Sequence, residues 1–112
     1  MTELYTTGRW HVAAGKQDAF VDAWAEFAAW ASSFAGAGTL RLARDLRDSE
    51  AFVSFGGWQT IEAVRAWKSA PEFRERLAQV LQHADGFEPS ELELLAAAEA
   101  GAAAPVRIHA LQ

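Results

Sequence analysis

The aromatic side chains are the residues of this sequence best suited to forming a ligand site. Trp67 lies just before Ser69-Ala70-Pro71, where a predicted helix is interrupted and a gap beside it can stay open. A tryptophan ring at such a gap can line a cavity and stack on a flat ligand. The sequence leaves open the structural alternative, a core tryptophan that fills the kink.

Gly8 is the second candidate, because a glycine inside a predicted strand leaves space above the backbone. Side chains alternate along a strand, so Gly8 shares a face with Trp10. That face is predicted to look toward the helices. We therefore interpret Gly8 and Trp67 as the floor and the wall of one pocket.

Acid–base and metal chemistry have weaker candidates. The three histidines fall in separate predicted segments: His11, His83 and His109. None has a second histidine or a carboxylate at the spacing of a metal site, so no metal is predicted. His83, at the end of a predicted helix, is a candidate catalytic base, with a structural role as the alternative. Neither a nucleophile elbow nor a glycine-rich phosphate loop is present, so the sequence indicates no serine hydrolase and no nucleotide site.

The composition excludes further classes of protein. The chain has 112 residues, a length suited to one domain, with a net charge of −5 and no cysteine. Disulfides, Cys-ligated zinc and iron–sulfur clusters are therefore excluded. The acidic balance argues against nucleic acid as a partner, because phosphates must be neutralised by clustered Lys and Arg.

No membrane segment or export signal is predicted. The longest uncharged stretch, residues 27–40, has 14 residues. A bilayer span needs about 20 mostly apolar residues. The first residues lack the basic and apolar regions of a signal peptide, so we expect a cytoplasmic protein.

Hydrophobic periodicity predicts the elements that position these residues. Residues 4–12 alternate as a strand, and residues 16–33 have helical spacing. Residues 39–46 and 51–59 are predicted to form an antiparallel hairpin. The helix carries one apolar stripe made of Phe20, Trp24, Phe27 and Ala31.

The second half of the chain follows a similar order. Thr60 is predicted to cap a second helix, which Pro71 interrupts. Ser69 and Glu72 have capping-box spacing, which favours a new helical segment there. Residues 91–95 then form a short strand.

The chain is divided into a domain, residues 1–97, and a C-terminal tail, residues 98–112. The tail begins as an Ala/Gly-rich segment. Its last part, residues 106–111, alternates and is a candidate strand that contacts a partner subunit, with disorder as the alternative.

The order β-α-β-β-α-β predicts an α+β protein with the ferredoxin-like, split βαβ fold. Two helices cover one face of an antiparallel sheet and leave the other face open. On the first strand this open face carries Tyr5, Thr7, Arg9 and His11, a polar and aromatic mixture that suits a wet interface. We expect a homodimer through the open face, that is, a dimeric α+β barrel.

Three segments carry a family resemblance. They are, in chain order, Gly8-Arg9-Trp10-His11-Val12 followed by Gly15-Lys16 and Phe20; Phe52-Val53-Ser54-Phe55-Gly56-Gly57-Trp58; and Ala66-Trp67-Lys68-Ser69-Ala70-Pro71-Glu72-Phe73. In this order and spacing the chain resembles the antibiotic biosynthesis monooxygenase (ABM) domains, over about residues 5–95. The family's fold is the same ferredoxin-like unit, usually dimerised through its sheets.

The resemblance implies a small-molecule pocket between helices and sheet. Characterised members oxygenate phenolic or quinol-type substrates with O₂ and without flavin, metal or haem, so no cofactor is expected here. Trp67 aligns with a pocket tryptophan that recurs in the family. A similar branch degrades haem with an Asn, a Trp and a His; here Gly8 and Leu77 stand where the Asn and the haem-ligating His would be, which argues against that activity.

The resulting prediction is a cofactor-independent monooxygenase that oxidises a phenolic, quinol or polycyclic aromatic molecule with O₂. The alternatives are a non-catalytic small-molecule-binding or interaction protein on the same fold and, third, an atypical haem-binding or haem-degrading member. Trp67 and His83 are the candidate catalytic residues. The candidate substrate-binding residues are Gly8, Trp10, Phe55, Trp67, Phe73 and Leu77.

Overall fold

The computed structural model describes residues 3–101 and 106–107, and its main elements follow the predicted order. They are strand β1 (Leu4–His11), helix α1 (Gln17–Ala31), strands β2 (Ala37–Arg44) and β3 (Ala51–Trp58), helices α2 (Ile61–Lys68) and α3 (Phe73–Leu81), strand β4 (Gly86–Glu93), and the two-residue strands β5 (Ala96–Ala97) and β6 (Val106–Arg107). The predicted second helix is thus divided in two around Pro71.

The four long strands form one antiparallel sheet in the order β2-β3-β1-β4. β1 is central, and its residue Gly8 pairs with Ser54 on one side and Pro89 on the other. The predicted hairpin is confirmed, with Arg41 of β2 opposite Phe55 of β3. The structure therefore confirms the ferredoxin-like α+β fold.

The core lies between the sheet and the helices. The predicted stripe of α1 is confirmed, since its residues are all buried: Phe20, Trp24, Phe27 and Ala31. From the sheet, Trp10 and Trp58 face the same layer and are 4% and 2% exposed. Burial of such large rings supplies most of the hydrophobic stabilisation that a domain this small can obtain.

Strand β2 ends earlier than the sequence predicted. The predicted strand ran to Leu46, but β2 ends at Arg44 and Leu46 is fully exposed. The Asp45 carboxylate accepts a hydrogen bond from the backbone N–H of Arg47 at 2.7 Å. This local bond starts a turn in place of the sheet ladder.

The ends of α2 and the start of α3 confirm one capping prediction and contradict another. Thr60 Oγ1 accepts from the Ala63 N–H at 3.0 Å, as expected of an N-cap. The capping box at Ser69 and Glu72 is wrong, because Glu72 caps α3 with backbone alone. Ser69 instead ends α2 in a helical conformation, and its hydroxyl donates back to the Ala66 carbonyl.

Strand β4 begins five residues before the predicted strand of residues 91–95 and ends at Glu93. Pro89 lies inside this strand although it cannot donate a hydrogen bond to a sheet ladder. β4 is an edge strand, so one side of its backbone has no neighbouring strand and Pro89 is tolerated there.

The C-terminal segment pairs with its own chain where the structure describes it. β6 runs antiparallel to β5, with Val106 opposite Ala97. Residues 102–105 and 108–112 of the predicted tail lie outside the described residues, so the tail's contact with a partner subunit and the division at residue 97 stay predictions. Among the described helices, none combines the length and the apolar character needed to cross a bilayer.

Candidate functional site

A cavity of about 140 Å³ lies between the sheet and the helices. It is lined mainly by apolar side chains from β1, α1, β2, β3, α2, α3 and β4. All the predicted substrate-binding residues border this cavity: Gly8, Trp10, Phe55, Trp67, Phe73 and Leu77, although strand alternation directs the Phe55 side chain to the opposite face of the sheet. Their roles in binding stay predictions, but their placement in one site is a property of the fold.

Gly8 lets three side chains pack closely over the backbone at the floor of the cavity. A Cβ atom at this position would lie 2.8 Å from both Ser54 Oγ and Trp10 Nε1. It would also lie 2.9 Å from the ring of Phe87, which stacks on Trp10 with 4.1 Å between ring centroids. Any larger residue would collide with three groups that are themselves packed, so the position requires glycine.

Trp67 forms one wall and carries the most unusual polar group of the site. The residue is 5% exposed, and its Nε1 is buried with no hydrogen-bond partner among the described residues. Its ring stacks on Trp58 at 4.8 Å and meets Phe73 edge-on at 5.0 Å. These contacts fix the indole, so the N–H cannot turn away to find another partner.

The indole N–H groups of two other buried tryptophans, Trp10 and Trp58, have hydrogen-bond partners. Trp10 Nε1 donates to Ser54 Oγ, and Trp58 Nε1 donates to Thr6 Oγ1, each at 3.0 Å. A buried donor without a partner costs about 1–3 kcal/mol. Since Trp10 and Trp58 are hydrogen-bonded, the unpartnered N–H of Trp67, a residue that lines the cavity, is an exception to the usual pairing of buried polar groups.

The polar groups of the cavity are biased toward donors. The Ser54 oxygen accepts the Trp10 N–H, which leaves the Ser54 hydroxyl hydrogen free to donate. Trp67, which carries an unpartnered N–H, and Lys68, which carries a positive charge, also line the cavity. A hydrocarbon pocket with these donors favours a ligand whose oxygen atoms accept hydrogen bonds or carry negative charge.

Lys68 and Ser54 were not singled out in the sequence analysis. Lys68 Nζ lies 2.8 Å from Glu91 Oε2, which joins α2 to the edge strand β4, and about a third of the lysine side chain is exposed. Alternation along β3 could have indicated Ser54, because this polar residue shares the buried face of the strand with Phe52 and Trp58. No sequence pattern indicated that Lys68 would reach the cavity.

His83, the predicted base, is not brought to the cavity. It follows α3, and its backbone N–H closes the end of the helix on the Val80 carbonyl at 3.1 Å. Phe73 and Leu77, one helical turn apart, line the cavity. His83 lies six residues beyond Leu77, past the end of the helix, so the same helix face does not carry it to the site.

His11 takes part in a separate cluster at the end of β1. Its Nδ1 bonds to the Asp85 carboxylate, and its Nε2 lies 3.1 Å from Glu50 Oε1. The hydrogen bond with Asp85 raises the pKa of His11 and lowers that of Asp85. The two carboxylates contact different ring nitrogens, and within the described part of the chain no three potential ligands gather as a metal site.

The residues present do not fit the haem-degrading arrangement. The Cβ of an Asn at position 8 would meet the same close contacts that exclude any side chain there. Leu77, at the position of the haem ligand, offers only hydrocarbon to the cavity. Neither position supplies the polar group that this chemistry uses.

Comparison with known proteins agrees with this architecture. The family model for antibiotic biosynthesis monooxygenase matches residues 4–87. The chain belongs to this family. The match covers β1 to the start of β4, and therefore includes every residue that lines the cavity except Pro89.

Solved structures share the ABM fold at low sequence identity. SnoaB, a cofactor-independent oxygenase from Streptomyces nogalater, is 18% identical, with a TM-score of 0.73 over 82% of this chain and 92% of its own. A candidate ABM protein from Chloroflexus aurantiacus is 23% identical, with a TM-score of 0.66 over 80% and 90%. A conserved protein from Methanosarcina mazei is 13% identical, with a TM-score of 0.74 over 82% and 92%. A search among curated proteins found no match.

Proposed function

We propose that this protein is a cofactor-independent monooxygenase that oxidises a phenolic, quinol-type or polycyclic aromatic molecule with O₂. The observation that carries the proposal is a cavity lined mainly by aromatic and aliphatic residues, one of which, Trp67, has a buried N–H without a partner among the described residues. Membership of a monooxygenase family and the likeness to SnoaB, described as a cofactor-independent oxygenase, support it. The alternative is a protein of the same fold that binds such a molecule without oxidising it.

The substrate supplies the electrons in this reaction. A quinol-type anion donates an electron pair from a ring carbon to O₂, and the proton lost on ionisation returns to the peroxide to give C–O–OH. Loss of water from the C–H and O–OH of that carbon leaves a carbonyl. One oxygen atom enters the product and the other leaves as water, so the four electrons that O₂ accepts all come from the substrate.

The protein contributes position, exclusion of water and stabilisation of the anion. The Trp67 N–H donates to the ionised oxygen of the substrate, and the rings around it hold the flat molecule in place. Within a cavity of low polarity such a hydrogen bond is stronger than in water. His83 has no role in this proposal, since it does not line the cavity.

We place the protein in the cytoplasm.

The proposed assembly is a homodimer through the open sheet face. The open face exposes apolar side chains that a monomer would leave in water. Phe55 of β3 is 38% exposed and Leu92 of β4 is 50% exposed. Both have the strand parity that faces away from the helices. A second copy packed on this face would bury both residues.

Oxygen consumption by the purified protein, free of flavin and metal, tests the function. Hydroquinones, naphthols and anthrones should be supplied in turn, with ¹⁸O₂ to follow the oxygen. The proposal expects one labelled oxygen atom in the product for each O₂ consumed. Uptake no faster than in buffer for every substrate would contradict it, and ligand binding without uptake would assign a binding protein instead.

A further inference from the structure

We propose that the cavity selects a single-ring phenol or hydroquinone carrying a carboxylate, and that Lys68 binds this carboxylate in place of Glu91. The inference rests on the proposed function and names the substrate class of the same site. It is carried by the size of the cavity, the packing of its walls and the position of one charged side chain.

The volume of the cavity sets the size of the ring system. An apolar protein cavity of about 150 Å³ holds one benzene molecule. The cavity here measures about 140 Å³. It therefore fits one aromatic ring, and a fused system would have to displace part of the wall or leave most of its surface outside.

The walls are packed from behind, which opposes expansion. Trp58, which does not line the cavity, stacks on Trp67 with 4.8 Å between ring centroids. Phe20, which also lies outside the lining, packs on Trp10 at 5.3 Å. Because each wall residue contacts a buried partner, widening the cavity disturbs the core as well.

Lys68 supplies the charge that selects the substituent. Among the described residues that line the cavity, Lys68 alone is charged. About a third of its side chain is exposed, which places it where the cavity meets solvent. A ring bound inside would thus have its carboxylate at the opening, where the charge stays partly hydrated and its desolvation cost is small.

When the substrate binds, its carboxylate replaces Glu91 as the partner of the Lys68 ammonium. In the free protein its carboxylate lies 2.8 Å from Lys68 Nζ and keeps the ammonium paired at the edge of the cavity. Glu91 is itself outside the cavity lining, on β4. A substrate carboxylate that takes over the ammonium returns Glu91 to solvent, so Glu91 competes with the substrate for the same cation.

This competition predicts changes of opposite sign in two variants. Lys68→Met keeps the hydrocarbon stem and removes the charge, and we expect it to weaken binding of gentisate about tenfold. Glu91→Gln removes the competitor and should tighten gentisate binding. Binding of hydroquinone, which lacks the carboxylate, should change little in either variant.

Calorimetric titration without O₂ measures these affinities independently of turnover, so failed turnover and failed recognition are distinguished. Arg65→Gln is the matched control, because Arg65 is an exposed cation on the same helix that does not line the cavity. A dihydroxynaphthoate should bind more weakly than gentisate. Equal binding of the two acids, unchanged gentisate affinity in Lys68→Met, or weakening in both variants would overturn the inference.

Discussion

The indole N–H of Trp10 donates a 3.0 Å hydrogen bond to the hydroxyl of Ser54, directly above the backbone of Gly8. The bond joins β1 to β3 at the floor of the cavity and is possible only because residue 8 has no side chain. A mid-strand glycine, unfavourable for the strand by itself, is thus required by the packing above it.

Gly8→Ala should therefore destabilise the protein. The added methyl group would meet Ser54 and Trp10 at 2.8 Å, and overpacking of this kind costs about 1–3 kcal/mol. Urea unfolding measures the loss. Gly57→Ala is the matched control, because its Cβ would meet only the Tyr5 ring, at 3.5 Å or more. Equal stability of the two variants would contradict the packing argument.

Trp67→Phe tests the unpartnered N–H. The variant keeps an aromatic ring and loses the donor, so kcat/KM for a phenolic substrate should fall about tenfold to a hundredfold, given about 1.5–3 kcal/mol for a hydrogen bond to a charged oxygen. Steady-state O₂ uptake measures the effect. Trp30→Phe is the control, since Trp30 packs beside the core without lining the cavity. If both variants lose activity equally, the N–H has no special role.

The His11–Asp85 pair should make stability depend on pH. The hydrogen bond with Asp85, with further attraction from Glu50 and Asp48, raises the pKa of His11 above 6.5. Its contribution is therefore complete below about pH 6.5 and is lost as the pH rises through the raised pKa of the folded protein. The pKa of Asp85 is lowered from 3.8, mainly by the same bond, so its contribution is lost only in stronger acid.

Urea midpoints at pH 5.5 and pH 8.5 test this window. His11→Gln should lower the midpoint at pH 5.5 and have less effect at pH 8.5. In an Asp85→Asn background the same substitution should show a smaller difference between the two pH values. Because the side chains of His11, Glu50 and Asp85 are all exposed, the effects on stability are expected to be small and to weaken in high salt. A larger effect of His11→Gln at pH 8.5 would reverse the sign and refute the linkage.

Leu92→Glu tests the proposed dimer. A carboxylate placed on the open face would be desolvated in a face-to-face interface, so the variant should shift the protein toward monomer. Light scattering after size exclusion measures the mass at micromolar concentration. Leu46→Glu is the control, because Leu46 is fully exposed in the turn after β2. A wild-type protein that is already monomeric would remove the proposed role of this face.

Most of the fold could be predicted from the spacing of apolar residues along the sequence. Side chains on α1 repeat with the helical period, so the stripe from Phe20 to Ala31 could be read directly. The errors arose where local rules compete with tertiary context. Pro89 forbids a central strand but not an edge strand, and only the strand order shows that β4 is an edge. Ser69 has capping-box spacing, yet the chain folds so that it ends α2.

For the candidate site, the sequence by itself determined which aromatic residues were available and that residue 8, inside a strand, has no side chain. It contains the five tryptophans and the mid-strand Gly8. Alternation placed Gly8 and Trp10 on one face of β1, and the large apolar ring of Trp10 indicated that this face looks toward the helices. It could not determine which indole would lack a partner, because hydrogen bonds such as that of Trp58 to Thr6 join residues 52 positions apart.

Only the tertiary structure decided that Trp67 would be the unpartnered donor, that Lys68 would be the charged residue of the cavity, and that His83 would lie away from it. The physical reason is that these properties depend on distances between helices and sheet. Local sequence patterns specify which face of an element is apolar. The size of the space between two such faces is set by all the side chains that meet there.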